Sequence, residues 1–226
     1  MEHEPAKTKR LTNPPNSGSA LRSVLNIAAV AVALLLVIIS FLPQLLGLIQ
    51  PPPKRAQCQS NLKQVALAHM QYSQDYDERL PLVAVHDAAI SRQRPLGWAD
   101  ALQPYLKSTE VFQCPSQADT DTSRTPNQNG YTDYWYNARL AGMERTTLRY
   151  PASVLLNGEG NDDTDAANAR YSLSELPAEW QGAESPAMRH LDGANYSYAD
   201  GHVKWSKPTA ITTKKLDGKN LTFAVR

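Results

Sequence analysis

Cysteine is nearly absent. Cys58 and Cys114 are the only two in 226 residues, so at most one disulfide can brace the chain. Net charge is nearly absent too: 23 Lys and Arg against 22 Asp and Glu leave +1, which supplies no electrostatic ground for a nucleic-acid partner. Motifs of nucleophilic and metal-assisted hydrolysis are missing, as is a glycine-rich phosphate loop; neither Gly-x-Ser-x-Gly nor His-Glu-x-x-His occurs. Neither cysteine has a histidine beside it in sequence. No catalytic residue is therefore assigned, and the chain is not read as an enzyme. No internal repeat is present.

The largest local absence is charge between Ser23 and Pro53, where no Asp, Glu, Lys or Arg occurs. The mean hydropathy of the whole chain, -0.46, hides this block. Val24 to Ile49 is long enough as a helix to cross a bilayer, which takes about 20 residues. A cleaved signal peptide has an apolar region of about 7–15 residues and a small-residue cut site. This block is longer and no Ala-x-Ala closes it. A buried core helix needs equally apolar partners, and the rest of the chain offers none. The reading is a transmembrane helix over 23–50, preceded by a disordered cytoplasmic arm over 1–22. Lys7, Lys9, Arg10 and Arg22 upstream favour a cytoplasmic N-terminus. The domain over 54–226 is then extracytoplasmic, where the two cysteines can pair; two unrelated buried thiols are the alternative. Closing that loop is worth roughly 4 kcal/mol in the chain-entropy model.

Pro51, Pro52 and Pro53 break the membrane helix, because proline lacks the amide donor and clashes with the preceding turn. A second helix is expected over Lys54 to Asp77. Cys58, Leu62, Val65, His69, Tyr72 and Tyr76 recur at steps of three and four, while Lys63, Gln64, Gln71 and Gln74 face water. Short elements follow: an apolar run from Leu80 to His86, a helix over Trp98 to Leu106, and strands at Tyr131–Asn137 and Ser153–Leu156. The fold class is α+β, with the amphipathic helix packed on a small, loop-rich antiparallel sheet.

That sheet is organised by Ala187–Trp205. Asp200-Gly201 there suggests a two-residue type I′ hairpin, with Tyr196, Tyr198, Val203 and Trp205 on one face. Those rings would lie on the helix stripe. A second Asp-Gly pair, Asp217-Gly218, suggests another hairpin between Thr212–Leu216 and Lys219–Val225.

Two metal readings arise. His190, Asp192, Asp200 and His202 cluster in sequence and are ligand types for zinc. Strand alternation opposes that set, and His190 reads better as an anchor tying the pre-hairpin loop to the sheet. Asn161, Asp163 and Asp165 have the spacing of calcium ligands, but Ala166 and Ser172 exclude an EF-hand, leaving an irregular calcium site or a solvated acidic loop.

The stretch RHLDGANYSYADGHVKW, with nine residues between His190 and Asp200-Gly201, resembles the bacterial pseudopilin-like family named for that pattern. CQSNLKQVALAHMQYSQDYDERLP from Cys58 and ALQPYLKSTEVFQCPS from Ala101 are similar to the same family. The resemblance implies a pilin-like fold and filament-forming partners in type II secretion or type IV pilus-like systems. Some of its members use calcium to order a loop. The chain departs from it after Gly18. The aromatic or Met residue and the glutamate of a prepilin cleavage site are replaced by Ser19 and Ser23. The expectation is an unprocessed, permanently anchored protein that acts on other envelope proteins and contacts the bilayer. A membrane-tethered module binding calcium or a polymer is the alternative.

Overall fold

The computed structural model describes residues 17–47, 53–84, 96–117, 121–161, 168–182 and 185–226. The chain divides at the proline run into two units, Met1–Pro51 and Pro52–Arg226.

The first unit contains helix α1, Ser17–Gly47. Its Arg22–Leu42 segment is long and apolar enough to cross a membrane, and none of it is buried against protein.

The second unit begins with helix α2, Lys54–Asp75, directly after Pro53. Proline suits this place: its fixed φ starts the helix, and its carbonyl accepts from Ala56 and Gln57 N–H. Cys58, Leu62, Val65, Ala66, Ala68, His69 and Ser73 form the buried face. The expected stripe holds as far as His69 and then rotates. Ser73 takes the buried position, Tyr72 is half-buried and Tyr76 is exposed, stacked on Tyr72 at 4.2 Å. A helix of 3.6 residues per turn drifts off a strict heptad, and two turns further on the drift decides which residue faces inward.

Past α2 the chain turns through Asp77 and Glu78, both at positive φ (53° and 58°). Arg145 holds this corner, with its guanidinium 2.6 Å from the Glu78 carboxylate and its N–H on the Glu78 carbonyl. Of the run expected from Leu80 to His86, the described part makes no strand, only an isolated bridge at Ala84. Residues 85 and 86 lie outside the described residues. Helix α3, Trp98–Leu102, continues as a 3-10 turn to Tyr105.

The sheet has five strands in the order β3-β1-β2-β4-β5: β1 Tyr134–Asn137, β2 Leu155–Glu159, β3 Ser172–Leu173, β4 Ala194–Tyr198 and β5 Val203–Ser206. All pairs are antiparallel except β1–β3, so the sheet is mixed. Helix α2 covers one face, against Tyr134, Tyr136, Leu156 and Val203. The other face carries Trp135, Tyr196 and Tyr198 and is closed by Trp180, Ala187 and Phe223. Gly158 is needed where it stands, because a Cβ there would meet the Trp135 ring at 2.3 Å and Tyr196 at 2.6 Å.

Two expectations are corrected here. Asp200-Gly201 does not form a two-residue loop. Gly201 N–H donates to Tyr198 O, and only Gly201 takes positive φ (87°). This is a turn over 198–201 closed by a left-handed glycine, and it adds a residue to the loop. Cross-strand partners become Tyr196 with Lys204 and Asn195 with Trp205. A one-residue change of register exchanges faces. Tyr196 and Tyr198 therefore point away from α2, and Val203 and Trp205 lie on the opposite face from them.

The tail is the second correction. Ile211–Thr212 (β6) pairs with Leu221–Thr222 (β7) in parallel, so Asp217-Gly218 does not make a hairpin. The Asp217 carboxylate instead accepts from Lys219 and Asn220 N–H, turning the chain locally within a longer excursion.

Candidate functional site

The α2-facing side of the sheet is unusually polar for a protein core. Asn157 and Glu159 of β2 and Asn195 and Ser197 of β4 are all fully buried there. Burying a carboxylate requires compensating donors. Glu159 has them: its Oε2 accepts from Asn195 N–H at 2.6 Å, and its Oε1 accepts from Asn195 Nδ2 at 2.9 Å. His190 Nε2 lies 3.3 Å from the same Oε1.

His190 comes from the loop before β4. Leu191 and Asp192 there hold positive φ (55° and 62°), a conformation that needs outside support in non-glycine residues. Support is present. His190 N–H donates to Gly193 O at 2.8 Å, and Trp205 Nε1 donates to His190 O at 2.7 Å. Trp205 in turn lies under the Arg55 guanidinium of α2 at 5.3 Å.

Beside His190 lies the Cys58–Cys114 disulfide, which joins α2 to the segment after the 3-10 turn Thr109–Phe112 across a sequence separation of 56. Cys114 Sγ is 3.7 Å from His190 Nε2, and Cys114 N–H donates to the Asp133 carboxylate at 2.7 Å. Tyr134 stands in the same field; burial, then the charges of Glu159 and Asp133, push its hydroxyl pKa well above the ordinary value. The cluster is a fully enclosed node where α2, β2, β4 and two loops are tied together. As it stands it offers no exposed nucleophile.

His190 thus sits where an anchor is expected. Asp200 and Gly201 lie beyond the far end of β4, so a strand of five residues, roughly 15 Å, separates them from His190. Gly201 O accepts from Lys63 Nζ of α2. The nine residues between His190 and Asp200 are thus β4 and its two flanking turns, fastened to α2 at one end and to the buried node at the other. His190, Asp192, Asp200 and His202 do not converge on one ion. Asp200 Oδ1 and His202 Nδ1 pair at 2.6 Å on the surface, with His202 stacked on Tyr198 at 4.0 Å. Of the calcium set, Asn161 is buried and its carbonyl faces Arg189 Nη2 at 3.5 Å, while Asp163 and Asp165 lie outside the described residues.

His69 is the other buried imidazole. It stacks against Trp98 (5.7 Å) and Tyr136 (5.1 Å), whose own rings lie 5.6 Å apart, and neither ring nitrogen has a hydrogen-bond partner among the described residues. Burial lowers its pKa to about 3, against the opposing effect of the nearby Asn157 side chain. This is packing, as its position on the apolar stripe suggests.

The sequence reading missed Glu159 and Asn195. Glu159 lies just before Asn161, where the sequence reads as an irregular calcium site or a solvated acidic loop. Glu159 lies between Gly158 and Gly160, where the backbone is crowded by Trp135, Tyr196 and Trp180 rather than by water.

No curated protein and no solved structure matches the chain. One family matches residues 54–194, from the first residue of α2 to the first of β4, and is described as protein of unknown function DUF1559. It is a prepilin-type, pilin-like family. An apolar N-terminal helix, a second helix laid on a sheet, and a match over well over half the chain agree: this protein belongs to the DUF1559 family.

Proposed function

We propose that the chain is a single-pass, membrane-anchored pilin-like protein whose domain from Lys54 onward lies outside the cytoplasm. Its role is structural, holding other envelope or pseudopilin-like proteins in a secretion or pilus-like system, and it performs no catalysis. The observation that carries this reading is the pairing of two features in one chain: an uncovered apolar helix, Arg22–Leu42, and a disulfide-closed helix-on-sheet domain of a pilin-like family. Lipid covers the first, and the second suits an oxidising compartment. The His190, Asp200 and Gly201 positions are read as the family's strand fastening. Ser19 and Ser23 after Gly18 support an anchor that keeps its N-terminus, since the glutamate that pilins pair in lipid is missing.

Cross-linking in native membranes followed by copurification tests the role: filament or envelope subunits are expected, and their absence from a stably inserted protein argues against it. Mass spectrometry of the N-terminus tests the processing, since a chain beginning at Ser19 would overturn it. The tethered calcium- or polymer-binding module is the alternative reading; it predicts ligand-dependent stabilisation of the full chain.

A further inference from the structure

Four metal-ligating atoms meet at the buried node: the sulfurs of Cys58 and Cys114, a carboxylate oxygen of Glu159 and a ring nitrogen of His190, all within 4.8 Å of one another. We propose that when the disulfide is reduced, these four residues bind one zinc ion, so that disulfide and metal are alternative cross-links at the same place.

The geometry is close to a zinc site already. Tetrahedral zinc with bonds of about 2.0–2.3 Å has ligand–ligand edges of roughly 3.3–3.8 Å. His190 Nε2 stands 3.3 Å from Glu159 Oε1 and 3.7 Å from Cys114 Sγ, so two edges match without movement. Reduction supplies the remaining change by letting the sulfurs part. The four ligands come from α2, the loop after the 3-10 turn, β2 and the loop before β4, and all four are buried. Such a closed set of protein ligands is the structural type of zinc site.

Charge is conserved between the two states. A neutral disulfide beside the Glu159 carboxylate carries the same net charge as two thiolates, that carboxylate and a divalent ion. Arg189, next to His190, has a buried Nη1 with no hydrogen-bond partner among the described residues, and Tyr134 feels its charge together with that of Glu159. One cation therefore serves both states. Outside the node a groove of about 650 Å³ is lined by Gln57, Gln113 and Pro115, which adjoin the cysteines in sequence, and by Asn61.

The chemistry balances with a phosphine as reductant. The S–S bond takes two electrons from phosphorus and two protons from water, whose oxygen leaves as phosphine oxide. Zinc then displaces both thiol protons to solvent.

The test uses the full chain in detergent, reduced with a water-soluble phosphine and titrated with cobalt(II) as a spectroscopic stand-in for zinc. The expected result is one cobalt per chain, with sulfur-to-metal charge transfer, tetrahedral visible bands, and displacement by zinc. Glu159→Gln and His190→Ala should each weaken binding by more than roughly tenfold. The oxidised chain should bind none, and His202→Ala on the surface should change nothing. Reduced chain that is unfolded without metal should regain near-ultraviolet circular dichroism when zinc is added. Lack of thiolate charge transfer, or equal affinity in the Glu159 and His190 variants, overturns the proposal.

Discussion

At the residue scale, the consequences centre on ionisable groups placed out of reach of water. His69 is neutral in the folded protein, with a pKa of about 3 against 6.5 when exposed, because burial disfavours the imidazolium. A depressed folded-state pKa means that the unfolded chain binds the proton first. This stability is therefore complete above pH 6.5 and is lost as pH falls toward 3. Its size is roughly 2–3 kcal/mol between neutral pH and about pH 4.5. Urea midpoints measured across that window should fall steeply for the native chain and less for His69→Leu. Gly158→Ala should destabilise by roughly 1–3 kcal/mol, read by the same denaturation, because its Cβ must push apart Trp135 and Tyr196. These residues differ in how far sequence reveals them. His69 announces its burial by helical spacing, whereas Glu159 looks like one more acid in an acidic run. Its role depends on Asn195 and His190, 36 and 31 positions away, and no local pattern encodes those contacts.

At the element scale, α2 was legible because its pattern is long: four buried positions fall where a 3.6-residue period puts them. The hairpin was legible as a hairpin but not as to its faces. Asp-Gly fits both a two-residue loop and a three-residue loop closed by left-handed glycine, and the two differ by the one residue that reverses every side chain. β3 and the β6–β7 pair are two residues each, too short for any period, and distant partners decide them. The glycine that closes the loop gives a clean measurement. A Cβ on Gly201 meets only Met70 Cγ, at 3.6 Å, so Gly201→Ala tests backbone conformation alone. A loss of about 1–2 kcal/mol is expected from the left-handed φ. Leu62→Ala, on the buried face of α2, should cost roughly 2–5 kcal/mol and lower the melting temperature accordingly.

For the whole molecule, one chain joins a long apolar helix, Arg22–Leu42, to a separate domain closed by a disulfide. The family match spans α2 and strands β1 to β3, the plan of a helix backing a sheet. Here the plan carries a polar node where a simpler domain would place leucines, and the disulfide is part of it. Replacing both cysteines by serine should lower stability by roughly 4 kcal/mol in the chain-entropy model, visible as a lower denaturation midpoint. The most direct test of the account is protease access in spheroplasts from cells making the chain with a tag at each end. The account predicts that external protease removes the C-terminal tag and leaves the N-terminal tag attached to a membrane-bound fragment. A C-terminal tag that stays intact until the membrane is opened by detergent, with both cysteines free to alkylation, would contradict it.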